Sequence, residues 1–113
     1  MKIIISNALS LSMLDRETQR GSADEAVIPR PCDDPDAFLD EWEADGADIE
    51  SAVGHADTAA VFSAILGRLV AANRVNVKLE AGVVLLVGQY IGQRLPEGAS
   101  TLPEGARIEW WTV

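Results

Sequence analysis

Cysteine and histidine occur only once each in the 113 residues, as Cys32 and His55. A lone thiol has no partner for an intramolecular disulfide, which suits a compartment where thiols stay reduced. One imidazole, with Asp57 two residues on and no cysteine pair, supplies too few ligands for a metal site, and none is expected. Long apolar runs are also missing: none approaches the roughly 20 residues that cross a bilayer. The N-terminus lacks the apolar run and cleavage pattern of a signal peptide, so a cytoplasmic protein without a membrane partner is expected. There is no phosphate-cradling P-loop and no Gly-x-Ser-x-Gly elbow, which removes two common routes to nucleotide and ester hydrolysis.

Basic residues are absent from Asp33 to Asp57, a stretch that holds ten carboxylates. Such a segment is an interaction surface or, more ordinarily, a solvated helical face. Residues 1–67 carry 14 acids and four bases, whereas residues 68–113 carry four acids and five bases, so the net charge of −9 belongs to the first part. Spread evenly, that charge would repel DNA, and no DNA partner is expected. A hydrophobic content of 48% argues against disorder, and the length fits one domain, residues 1–113.

Lys2 to Ser6 reads as a buried strand, because three consecutive isoleucines suit a sheet covered on both sides. A second strand is expected near Ala26 to Arg30, at a sheet edge where Pro29 and Pro31 are tolerated. Asp34 is a candidate N-cap, with Pro35 at the first helical position and Gly46 as the stop. A second helix is expected from about Ala56 to Leu66, where Val61, Phe62, Ile65, Leu66 and Leu69 recur at helical spacing and Gly67 can close it left-handed. Val75, Val77 and Leu79 alternate with polar residues before Glu80-Ala81-Gly82 and the apolar run Val83 to Val87, which predicts an antiparallel hairpin. The last strand is Arg107 to Val113, with Trp110 and Trp111 on opposite faces. Leu95-Pro96-Glu97-Gly98 recurs as Leu102-Pro103-Glu104-Gly105, and both copies read as turns. These elements describe a mixed α/β (α+β) domain with one central mixed sheet of about five strands, flanked by helices.

His55 stands after Gly54 at the start of the second helix, where unpaired backbone N–H groups favour an anion. It is either a structural cap or a functional group. With metal and serine-hydrolase chemistry set aside, general acid or base catalysis is the role left for it, commonly about 10²- to 10⁴-fold in rate. An RNA-like phosphodiester is a natural target, since RNA brings its own nucleophile and needs mainly alignment and a proton for the leaving oxygen.

Asn7-Ala8-Leu9-Ser10 with Met13-Leu14, then Ser51-Ala52-Val53-Gly54-His55 with Thr58-Ala59, then Asn73-Arg74, then Gln93-Arg94-Leu95-Pro96-Glu97-Gly98 follow one another in order. In this ordered set the sequence resembles the viral and bacterial ring nucleases, the family of type III anti-CRISPR proteins that degrade cyclic tetra-adenylate without metal. The resemblance spans nearly the whole chain. It implies a homodimer, no cofactor, His55 as general acid and Glu97 as its catalytic companion. It also implies that Arg94, Gln93, Gly54, Asn7, Ala8 and Ser10 bind the ligand. Without the resemblance, Arg94 reads as a surface charge, Glu97 as a turn residue and Ser10 as a cap. The chain departs from many relatives after Gly98, where only eight residues precede Arg107. Its acidic first part is another departure, so a site for a tetra-anion must be locally positive through Arg74, Lys78, Arg94 or backbone amides. Two other readings remain open: a binding module that sequesters the ring uncleaved, and an acidic protein that blocks a nucleic-acid-binding surface.

Overall fold

The computed structural model describes residues 1–14, 28–80 and 82–113. β1 (Lys2–Ser6) lies inside the sheet, where Ile3 and Ile5 turn to one face and Ile4 to the other. β4 (Val83–Ile91) runs parallel to it, and β5 (Arg107–Thr112) runs antiparallel to β4. β2 (Arg30–Pro31) and β3 (Asp48–Ser51) form the two edges, giving the order β2-β5-β4-β1-β3. The result is the single mixed five-stranded sheet with helices that the sequence pattern predicts.

Helix α1 (Pro35–Ala44) starts as its signals demand: the Asp34 carboxylate accepts a hydrogen bond from the Ala37 N–H at 3.0 Å, and Gly46 turns the chain away at φ +88°. α2 (Ala56–Leu66) ends on Gly67 at φ +65°, whose N–H returns to the Ser63 carbonyl. Val61, Phe62 and Leu66 are buried, but Ile65 is partly exposed and Leu69 is 89% exposed. The left-handed residue at 67 breaks the helical register, so the apolar period does not carry on to Leu69.

The two faces of the sheet are covered differently. On one, Ile3, Ile5, Leu86 and Trp110 pack against Leu39 of α1 and against Ala59, Phe62 and Leu66 of α2. On the other, Ile4, Leu85, Val87, Trp111 and Val113 meet Met13 from a 3-10 turn (Leu11–Met13) and Val77 and Leu79 from the irregular segment before β4. The two tryptophans thus fall on opposite faces, as alternation requires.

Three sequence expectations are corrected. Val75 to Leu79 is not a strand and makes no hairpin with β4, because both edges of β4 are already taken by β1 and β5. The segment instead lies over the second face, buries Val77, and is held by the Leu79 N–H on the Met13 carbonyl at 2.8 Å and by Lys78 Nζ on the Ser12 carbonyl at 2.8 Å. Alternation reports one buried side, which covering a sheet satisfies as well as pairing in it. The antiparallel neighbours are β4 and β5, joined through residues 92–106. The strand that the pattern missed is β3, Asp-Ile-Glu-Ser, with only Ile49 turned to the core. The predicted second strand sits slightly later, at Arg30–Pro31, and is an edge; Ala26 and Val27 lie outside the described residues.

Arg68, just beyond α2, reaches Asp40 at 2.7 Å and Glu43 at 3.2 Å on α1, so part of the acidic stretch ties the two helices together. Between α2 and the sheet the contact is tighter. The Phe62 and Trp110 rings lie 4.9 Å apart by centroid, and a Cβ at Gly88 would come within 2.7 Å of both side chains. Gly88→Ala should lower the unfolding free energy by about 1–3 kcal/mol through overpacking. Phe62→Ala should lower it by about 3–5 kcal/mol through the cavity left behind. Urea denaturation monitored by tryptophan fluorescence measures both; an unchanged midpoint for Gly88→Ala would show that the rings can separate without cost.

Candidate functional site

The start of α2 is fixed from behind. The Ser51 hydroxyl donates to the Ala71 carbonyl at 2.6 Å, the Asn73 N–H to the Val53 carbonyl at 2.7 Å, and Asn73 Nδ2 to the Ser51 carbonyl at 2.8 Å. This lacing seats Gly54 and His55 against the 71–74 segment. At Gly54 a Cβ would lie 3.4 Å from Arg74 Nε, so the glycine lets the Arg74 side chain run close along the backbone.

His55 occupies the N-cap position in extended conformation, and its carbonyl accepts the Ala59 N–H at 3.0 Å. Its imidazole makes no capping hydrogen bond and is exposed. The capping explanation of this residue therefore applies to its backbone and leaves the ring free for other work.

The ring forms one wall of a cleft of about 840 Å³, lined by His55, Asp57 and Thr58 from α2, Tyr90 from β4, and Arg94 to Glu97 from the loop after β4. Three of the residues singled out in the sequence, His55, Arg94 and Glu97, converge here from positions about forty apart. Among the described residues Arg94 has no carboxylate within ion-pair distance, so its guanidinium is available to an anion. The loop is anchored where it leaves and rejoins the framework: the Tyr90 hydroxyl donates to the Gln93 carbonyl, and the Gly98 N–H donates to Asp57 Oδ1 at 3.1 Å.

The other expected ligand residues are distributed around this cleft or away from it. Gly54 adjoins His55, and Gln93 faces a neighbouring hollow of about 470 Å³ with Tyr90, Pro103 and Glu104. Asn7 and Ala8 line a more apolar concavity of about 530 Å³ on the second face of the sheet, beside Val87, Gln89 and Trp111. Their turn is held by the buried Ser6 hydroxyl, which donates to the Ala8 carbonyl at 2.9 Å. Ser10 is exposed next to Ser12, with the two hydroxyls 2.6 Å apart, and lines a shallow pocket with Asn76 and Lys78. One chain thus brings together the imidazole of His55, the guanidinium of Arg94 and the carboxylate of Glu97, and leaves Asn7, Ala8 and Ser10 on other surfaces.

Asp57 and Tyr90 are cleft residues that sequence reasoning did not single out. An acid in a first helical turn and a lone tyrosine at a strand end both have ordinary explanations, and no spacing marks either. Among the described residues no three His, Cys, Asp or Glu side chains gather as metal ligands. Burial pushes the Cys32 thiol up from its usual range; a backbone hydrogen bond at Asp34 opposes this, and the Asp33 and Asp34 carboxylates add to it. It is therefore a protonated, weak nucleophile near neutral pH, packed beside the core. No helix among the described residues is long and apolar enough to cross a membrane.

The sequence model of the STIV B116-like family matches residues 36–106, a span that includes α1 from its second residue, α2, the cleft and the loop carrying Arg94 and Glu97. Among solved structures, B116 of Sulfolobus turreted icosahedral virus is similar over 99% of this chain and 97% of its own, at 25% identity and a TM-score of 0.73. No curated protein sequence matches. The family model covers more than half of the chain and the viral protein shares its fold from end to end: this chain belongs to the STIV B116-like family.

Proposed function

We propose that the protein is a metal-independent ring nuclease that opens cyclic tetra-adenylate and so switches off type III CRISPR signalling in the host-cell cytoplasm. The observation that carries this reading is the convergence of His55, Arg94 and Glu97 on one cleft. A membership in a family with a viral representative fits a role against host immunity.

The chemistry needs little from the protein. The ribose 2′-hydroxyl attacks the adjacent phosphorus, the bond from phosphorus to the 5′-oxygen breaks, and a 2′,3′-cyclic phosphate forms. His55, unconstrained by any cap hydrogen bond, gives its proton to the departing 5′-oxygen, while the 2′-hydroxyl proton passes to solvent. Arg94 offers paired donors to the phosphate oxygens as charge develops on them. Glu97, in the same wall, orients the imidazolium or the attacking hydroxyl. The four-fold repeat of the ring suits a two-fold homodimer, which would bring two copies of His55 to opposite phosphates.

In EDTA, wild-type protein should convert the ring to linear products, and His55→Ala should lose about 10²- to 10⁴-fold in turnover with ring affinity retained. Undiminished cleavage by His55→Ala would remove the residue from the mechanism, and stoichiometric protection of intact ring by the wild type would make the protein a sponge. Arg94→Ala should weaken ring binding by roughly tenfold or more, since a charge-assisted hydrogen bond contributes about 1.5–3 kcal/mol. Arg94→Lys should recover only part, because a point charge lacks the paired geometry. Equilibrium titration with the ring at two salt concentrations checks both.

A further inference from the structure

Arg94 and Glu97 sit on an exposed loop, and a loop that must be ordered by its ligand loses affinity to that ordering. In this chain the ordering is done beforehand from both ends. The hydroxyl of Tyr90, the penultimate residue of β4, donates to the carbonyl of Gln93, the residue before Arg94. The Asp57 carboxylate, in the first turn of α2, accepts the N–H of Gly98, the residue after Glu97. Only Arg94-Leu95-Pro96-Glu97 lies between the two anchors, and both anchors stand on regular elements that the core holds. Gly92 makes the first reachable, because a Cβ there would lie 2.8 Å from Ala106 Cβ and 3.2 Å from the Tyr90 hydroxyl oxygen.

The repeated tetrapeptide supplies an internal comparison. In the first copy Gly98 has φ +79° and the Ala99 N–H closes on the Pro96 carbonyl at 3.0 Å; in the second Gly105 has φ +79° and the Ala106 N–H closes on the Pro103 carbonyl at 3.1 Å. The turns are alike, yet among the described hydrogen bonds only the first copy is tied to a side chain of the framework. The tie is therefore not needed to make the turn; it places it. We infer that Tyr90 and Asp57 are positioning residues that clamp the 93–98 loop and preset Arg94 and Glu97 opposite His55. This rests on the ring-cleaving reading for its functional meaning, though not for the clamp itself. It also accounts for a carboxylate kept at the mouth of a cleft meant for an anion: Asp57 serves as an acceptor for a backbone N–H, not through its charge.

The test compares Tyr90→Phe, Asp57→Ala and Asp57→Asn with wild type. Both Asp57 variants lose the charge, but asparagine keeps an acceptor oxygen, so the difference between them reads the tether. In the ligand-free protein, amide exchange at Gly98 should accelerate in Asp57→Ala and stay near wild type in Asp57→Asn, and exchange across 94–98 should accelerate in Tyr90→Phe. With cyclic tetra-adenylate, Asp57→Ala should raise KM about five- to tenfold over Asp57→Asn, as should Tyr90→Phe over wild type, the size expected for one lost hydrogen bond, with kcat changed less. Equal damage from Asp57→Asn and Asp57→Ala, or a Tyr90→Phe protein indistinguishable from wild type in exchange and KM, would overturn the clamp. If the wild type neither binds nor cleaves the ring, the proposed function fails, while the exchange data still decide the clamp.

Discussion

Phe62 from α2 and Trp110 from β5 meet over Gly88 of β4, where the missing side chain leaves room for both rings. That contact sets how α2 lies on the sheet, and much else follows from it. The start of α2 carries His55 and Asp57; the end of β4 carries Tyr90 and launches the loop with Arg94 and Glu97. A change in spacing between helix and strand would therefore be felt as a change in the width of the cleft. Interiors packed to crystalline density transmit such displacements with little loss, so a residue pair outside the cleft controls the geometry of the residues that line it.

Part of the protein's excess negative charge is held in ion pairs away from the cleft, which itself sets the carboxylates Asp57 and Glu97 beside Arg94. Asp40 and Glu43 are paired with Arg68, and Glu50 with Lys2, at places where they bind helices or strands to one another. Among the described residues Arg94 has no such pairing, and it faces the open cleft. In a chain of net charge −9 the long-range field repels anions, so an unpaired guanidinium acts on them only at short range.

The sequence pattern was most legible where several signals agreed. Asp34, Pro35 and Gly46 bracket α1, and the isoleucines of β1 and the apolar run of β4 declare interior strands. β3 was illegible because a strand at an edge needs only one inward residue, Ile49, and its acids resembled the solvated helical face next to it. Val75 to Leu79 misled for the converse reason: half-burial produced the alternation without any ladder. In the site, His55 could be named from residue type and place and Arg94 and Glu97 through the family resemblance, whereas Asp57 could not, since its hydrogen bond spans 41 positions and depends on how the loop folds back. Chemistry that resides in a side chain leaves a mark in a sequence; chemistry that consists of holding a backbone in place leaves almost none.

The two margins of the sheet have a bearing on how copies of this chain can associate. β2 contributes just two residues, one of them Pro31, which has no N–H to offer, and β3 lines its margin with Asp48 and Glu50. A neighbouring molecule trying to continue the ladder would meet a missing donor on one side and like charges on the other. Among the described residues, continuation of the ladder is thus disfavoured at both margins. Sheet-to-sheet polymerisation is the mode of self-association that these margins resist.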